Sequence, residues 1–155
     1  MKKNIGLIPL RNFAILGDNL FRSAQPQFSY EYDWMKRVLG IDIIINLRSE
    51  KDMDTRFSIP HDIKTFTISV PDHNPPKDED VEKFQNILHE NKGKKILFHC
   101  EHGHGRTSTF CVIARIENGW TLDEAIQEEK EKFHYAFQHK AQMNFLINKF
   151  QKQAA

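Results

Sequence analysis

The sequence holds only two cysteines, Cys100 and Cys111, among its 155 residues. A small disulfide scaffold is far richer in cysteine, so two thiols fit a reducing compartment better than an oxidising one. No apolar run approaches the roughly 18 residues that a membrane-spanning helix needs. Neither sign of charge dominates: 22 Lys and Arg stand against 21 Asp and Glu, leaving +1. A protein that grips duplex nucleic acid usually shows a marked basic excess, so no nucleic-acid partner is expected. Any affinity for an anion must come from a local arrangement. Internal repeats and low-complexity stretches are also missing.

What is present suits one globular domain spanning residues 1–155. The hydrophobic fraction is 39%, and twelve Phe supply bulky core material. The start, Met1-Lys2-Lys3 followed by Ile5, Leu7, Ile8 and Leu10, has the outline of a signal peptide. Arg11 ends that run after about six residues, too few for its apolar region. Residues 1–12 are therefore expected to form an irregular arm. The compartment expected is the cytoplasm, with secretion or a periplasmic location left open for a chain whose signal has been removed.

Residues 13–16 and 20–23 read as a hairpin around a three-residue turn, Gly17-Asp18-Asn19. Ser29 is placed to cap a helix running to residue 39, with Tyr32, Met35, Val38 and Leu39 on one face and Gly40 as its stop. Residues 41–47 are almost continuously β-branched, the pattern of a strand covered on both faces. Residues 64–70 and 95–98 read as further strands. Val81, Phe84, Ile87 and Leu88 form a helical stripe, residues 107–118 a helix closed by Gly119, and Thr121 to Glu124 a capping box. A last helix carries Met143, Leu146, Ile147 and Phe150. Strands and helices alternate, which predicts an α/β fold: a central, mostly parallel sheet of about four to five strands flanked by helices. Ligands bind such sheets beyond the carboxyl ends of the strands.

One loop lies at such an end: His99-Cys100-Glu101-His102-Gly103-His104-Gly105-Arg106-Thr107. A sulfur nucleophile attacks as the thiolate, which a following helix N-terminus and a nearby guanidinium favour. Five residues between Cys100 and Arg106 let the backbone curl around a tetrahedral anion. Gly103 and Gly105 permit positive φ, so that successive N–H groups point inward. Arg106 offers a fork of donors to two phosphate oxygens. Thr107 sets a hydroxyl near the sulfur, where it helps Cys100 leave, and His99 orients the loop. Cys111 has no Arg at matching spacing and reads as a core residue. A leaving alkoxide needs a proton, and Asp72, in the stiff segment Pro71-Asp72-His73-Asn74-Pro75-Pro76 after the strand at 64–70, whose end is expected beside the Cys100 strand, is the expected donor. The chemistry indicated is cleavage of a phosphate ester through a phosphocysteine.

The pattern His99-Cys100-x5-Arg106-Thr107 resembles the signature of the protein tyrosine phosphatase superfamily. Phe21-Arg22-Ser23-Ala24-Gln25-Pro26 and Ile45-Asn46-Leu47-Arg48-Ser49-Glu50 resemble segments of its compact, atypical dual-specificity branch. The resemblance implies a cysteine-phosphatase fold, with Cys100 as nucleophile, Arg106 as phosphate clamp, Asp72 as general acid and Thr107 as the hydroxyl of the second step. It implies no cofactor. The loop and the Asp72-His73 pair, with Glu79 and Phe84 downstream, also resemble the phytases of this superfamily, which act on inositol phosphates. His102 stands where those enzymes carry a small residue, and the chain is about half their length.

Substrate contacts are expected from Glu101, His102, Gly103, His104 and Gly105, and from His73, Lys77 and Arg48. Imidazoles beside bound phosphate gain protons, so His73, His102 and His104 suit a ligand with several phosphates. The substrate expected is an inositol polyphosphate. A phosphoprotein, through phosphotyrosine or dual specificity, is the alternative. A non-catalytic phosphate-binding protein is a third reading, and the presence of Cys100, Arg106 and Asp72 together weighs against it. A metal bound by these histidines is not expected, because it would compete for the thiolate. Cys100→Ser should abolish turnover while phosphate binding, followed by calorimetry, survives; turnover in that variant contradicts the covalent route.

Overall fold

The computed structural model describes residues 6–48 and 59–151. Met1-Lys2-Lys3, Ile5 and the motif residues Ser49 and Glu50 lie outside the described residues. Five strands form one sheet in the order β1-β2-β5-β3-β4. They are β1 (Ala14–Gly17), β2 (Leu20–Ser23), β3 (Ile43–Arg48), β4 (Lys64–Val70) and β5 (Ile96–His99). Only β1 and β2 pair antiparallel; β2–β5, β5–β3 and β3–β4 are parallel. Helices α1 (Ser29–Trp34), α2 (Asp78–Glu90), α3 (Gly105–Glu117), α4 (Leu122–Lys132) and α5 (Lys140–Phe150) cover it. The expected α/β architecture is the observed one.

The apolar runs of the strands serve two cores at once, because alternate side chains leave opposite faces. Ile43, Ile45 and Leu47 of β3 and Ile96 and Phe98 of β5 face the core built with α2 to α5. Ile44 and Leu97 face a second core with Leu10, Tyr32, Trp34, Met35 and Leu39. On the first side, Phe84 meets Phe98 and Phe110 edge to face at 5.3 and 4.9 Å, a geometry aromatic quadrupoles favour. Among the described residues no helix is long and apolar enough to cross a membrane.

Three local expectations need correction. The hairpin turn has two residues, Asp18 and Asn19, since Gly17 pairs with Leu20; the register slips between Ile15 and Gly17, and that bulge takes up the extra residue. Ser29 does not cap α1. Phe28 occupies the cap position, and the Glu31 carboxylate reaches back to accept the Gln27 N–H at 3.1 Å. Beyond Trp34 the helix widens into a π-helical turn, Met35–Leu39, which Gly40 ends at φ +72°. By contrast, the Thr121 box forms as expected, with Thr121 Oγ1 accepting from Glu124 N and Glu124 accepting from Thr121 N.

A charged cluster is sealed between β2, α3 and α4. Glu129 Oε2 accepts from Arg22 Nη1 at 2.7 Å and its Oε1 from Arg115 Nη1 at 2.5 Å, and Glu129 is fully buried. Arg22 lies over the Phe133 ring at 3.6 Å. Two guanidiniums and one carboxylate without water leave no room for losing the anion. Glu129→Ala should cost about 3–5 kcal/mol, the scale of breaking a buried pair on one side, and thermal denaturation will show it as a large drop in Tm.

Candidate active site

Strand β5 ends at His99, and α3 begins at Gly105, so residues 100–104 form a loop at the carboxyl edge of the sheet. Cys100 and Arg106 are both buried. Thr107 Oγ1 donates to Cys100 Sγ at 2.8 Å, which holds the hydroxyl where it supports charge on sulfur. His99 is buried, with Nδ1 3.1 Å from the Cys100 carbonyl. Arg106 Nη1 donates to the Val70 carbonyl at 3.0 Å. Its Nη2 stands 3.3 Å from Asp72 Oδ1.

That contact revises how Asp72 reaches the loop. The sequence suggests that β4 lies beside β5; instead β3 intervenes. The Arg106 side chain spans the gap, holding the end of β4 through Val70 and the following loop through Asp72. Asp72 is itself half-exposed, and its Oδ1 accepts the His73 N–H at 3.0 Å. His73 sits at φ +66°, a region non-glycine residues seldom occupy and one often found at functional loops.

Gly103 and Gly105 are needed for different reasons. Gly103 has φ +74°, as expected. Gly105 does not take a positive φ; a Cβ there would meet the Gln142 side chain at 2.4 Å. Gln142 is buried, and its Nε2 donates to the Asn74 carbonyl at 3.4 Å, tying α5 to the loop that carries Asp72. Its Oε1 has no partner among the described residues.

These groups close a cavity of about 130 Å³. Its lining includes Asp72, His73, Cys100, His102, His104, Gly105 and Arg106 from the expected set, and adds Tyr135, Gln138, His139 and Gln142. His73 stacks on His139 with centroids 4.0 Å apart, and His102 faces His104 at 5.8 Å. Burial lowers the pKa of His104 below the usual imidazole range, with smaller contributions from His102, Arg22 and Arg11. Lys77, Arg48, Glu101 and Gly103 are not among the lining residues. Lys77 is exposed and starts α2, its N–H going to Asp80. Arg48 instead braces the loop from outside, 3.9 Å from Glu101 and 3.3 Å from Gln25 Oε1. Cys111 is fully buried, and desolvation pushes its thiol well above the ordinary value, with Glu129 adding to the effect.

The sequence reading missed Gln142, His139, Tyr135 and Arg22. Gln142 left a trace: it stands four residues before Leu146 and eight before Phe150, a polar residue on the buried stripe of α5. Arg22 left another, as a charge inside a short strand whose residues are all buried. His139 and Tyr135 lie in the turns before α5, and no periodicity marks them.

A buried thiol with a hydroxyl on its sulfur, a guanidinium across the loop and a carboxylate above it define a cysteine-dependent phosphatase. Residues 18–147 match the family described as PTP-NADK, a DSP-PTPase phosphatase fused to NAD+ kinase, and the chain belongs to that family. It is a phosphoric monoester hydrolase of the dual-specificity type. No curated protein matches the chain. Among solved structures, Tk-PTP in its active form is 23% identical with a TM-score of 0.77, over 95% of this chain and 99% of that one. TpbA of P. aeruginosa is 18% identical with a TM-score of 0.75, over 92% and 88%. The core catalytic domain of the PP-IP phosphatase SIW14 from S. cerevisiae is 21% identical with a TM-score of 0.69, over 94% and 88%. At these identities the likeness is one of fold.

With Asp72 at the cavity and against Arg106, Asp72→Asn should slow hydrolysis of an alkyl phosphate about 10²-fold or more, the usual contribution of a general acid. Nitrophenyl phosphate, whose leaving group needs little protonation, should be much less affected in the same steady-state assay. Equal losses on both esters point to a different acid.

Proposed function

We propose that the protein hydrolyses inositol polyphosphates through a phosphocysteine. Cys100 Sγ attacks phosphorus, and the P–O bond to the ring breaks as Asp72 gives its proton to the leaving oxygen. Water then attacks the thiophosphate, returning a proton to Asp72. The P–S bond breaks, and the departing thiolate accepts a hydrogen bond from the Thr107 hydroxyl. Arg106 holds two phosphate oxygens throughout. His99, Glu101 and Arg48 act on the loop rather than on substrate, and Lys77, exposed at the cap of α2, is not a lining contact.

The observation that carries the substrate reading is the imidazole wall. Four histidines, His73, His102, His104 and His139, line one small cavity with Arg106. A single phosphate needs only the loop and the guanidinium. Further ring N–H donors on the same wall suit further phosphates on the same ring. A structural relative, SIW14 of S. cerevisiae, is a PP-IP phosphatase, which lends the reading support. Phosphotyrosine is the second reading. It is favoured by Tyr135, 49% exposed at the cavity, whose ring lies 5.1 Å from His104 and offers a surface for a phenyl ester. We place the reaction in a reducing compartment, where Cys100 stays a thiol, and treat the chain as one phosphatase domain preceded by an arm.

Inositol hexakisphosphate and a phosphotyrosine peptide, compared by phosphate release, separate the two. Inositol hexakisphosphate should show the higher kcat/KM, and His73→Ala and His102→Ala should each raise its KM more than that of nitrophenyl phosphate. Faster turnover of the peptide supports the protein phosphatase reading instead.

A further inference from the structure

Three successive carbonyls of the phosphate loop are each taken by a donor from outside it. The Glu101 carbonyl accepts the Gln25 N–H at 2.9 Å. The His102 carbonyl accepts Asn12 Nδ2 at 2.6 Å. The Gly103 carbonyl accepts Arg22 Nη2. In a trans peptide the N–H points opposite to the C=O. Pinning these three carbonyls on the side of the arm and β2 therefore turns the N–H groups of His102, Gly103 and His104 away from the arm; His102 and His104 line the cavity, and Gly103 stands between them. Their summed dipoles make the concave anion site that a backbone nest provides.

The packing agrees. A Cβ on Gly103 would stand 3.0 Å from both Asn12 Cβ and the Ala24 nitrogen, so that stretch of loop is pressed against the arm and the residues after β2. Asn12 is held at φ +51°, a conformation asparagine tolerates better than most residues. The arm is fixed there by the Ala24 N–H, which donates to the Arg11 carbonyl at 2.8 Å. Arg22 is fixed by Glu129.

We propose that Asn12 and Arg22 are positioning residues: they orient the peptide groups of the phosphate loop for oxyanion binding without touching substrate. Residue 12 thereby changes from the end of an irregular arm to a part of the catalytic apparatus. The role is independent of which phosphate ester is the natural substrate, because it concerns the phosphate alone.

The test uses Asn12→Asp, which keeps the shape and loses the donor, and Asn12→Gly, which keeps the backbone freedom and loses the donor. Tungstate serves as the oxyanion probe, and nitrophenyl phosphate as the ester. Each variant should bind tungstate about three- to tenfold more weakly and lose kcat/KM by a similar factor, the scale of one net hydrogen bond. Melting temperature should stay at the wild-type value. Arg22→Lys, which keeps a charge for Glu129 but not the reach to Gly103, should weaken tungstate binding in the same direction. Should Arg22→Lys fail to fold, the two Asn12 variants decide the question. Wild-type tungstate affinity in both Asn12 variants overturns the proposal. So does a loss of activity that follows a fall in melting temperature while tungstate affinity of the folded protein is kept.

Discussion

The Glu129 carboxylate is the point on which this structure turns. It is enclosed by protein on every side and holds two arginines from different elements, Arg22 of β2 and Arg115 of α3. A carboxylate removed from water is costly unless each oxygen is matched, and here each oxygen has its own guanidinium. The pairing locks α4 to the sheet and to α3. It also leaves Arg22 with a second amino group free of Glu129, and that group meets the phosphate loop. One buried ion cluster thus joins the fold's packing to the shape of the site.

Arg106 does the same at the other margin of the site. It belongs to the first turn of α3 and is buried, yet its side chain reaches the end of β4, two strands from β5. Its contacts with Val70 and Asp72 replace the strand adjacency that a simpler topology would have supplied. The acid loop is further fixed by Gln142 through Asn74. Elements distant in sequence, residues 70–74, 100–106 and 142, are consequently held in one arrangement by single side chains rather than by the sheet.

Much of this was legible in the sequence where the cause is local. The β-branched run of β3, the stop at Gly40, the capping box at Thr121 and the spacing from Cys100 to Arg106 depend on neighbours within a few residues. The sheet class followed from alternation, and the loop's chemistry from its glycines and charges. What escaped depends on contacts between distant segments. Gly105 reads as a conformational glycine, but its φ is not positive, and what a side chain there would meet is the amide of Gln142, 37 positions later, which would have to shift. Asn12 shows no pattern, since only the folded arm brings it to His102. Lys77 follows the acid loop directly, but the turn into α2 carries it off the cavity. The strand order could not be read from strand composition: Asp72 lines the cavity, but the Arg106 side chain rather than strand adjacency brings its loop there.

The 3.3 Å contact between Arg106 and Asp72 has a consequence for ligand entry. The guanidinium proposed to receive phosphate already holds a carboxylate of the protein's own. Phosphate therefore arrives by exchange, and the gain on binding is the difference between two ion pairs rather than the whole of one. A weakly charged ester gains little from such a swap, whereas a dianion gains more. The resident carboxylate thus acts as an internal reference against which every incoming anion is weighed. Displaced, the Asp72 carboxyl group is left beside the bound anion, within the same cavity. In the proposed mechanism, entry of the substrate and release of Asp72 from Arg106 are then a single event.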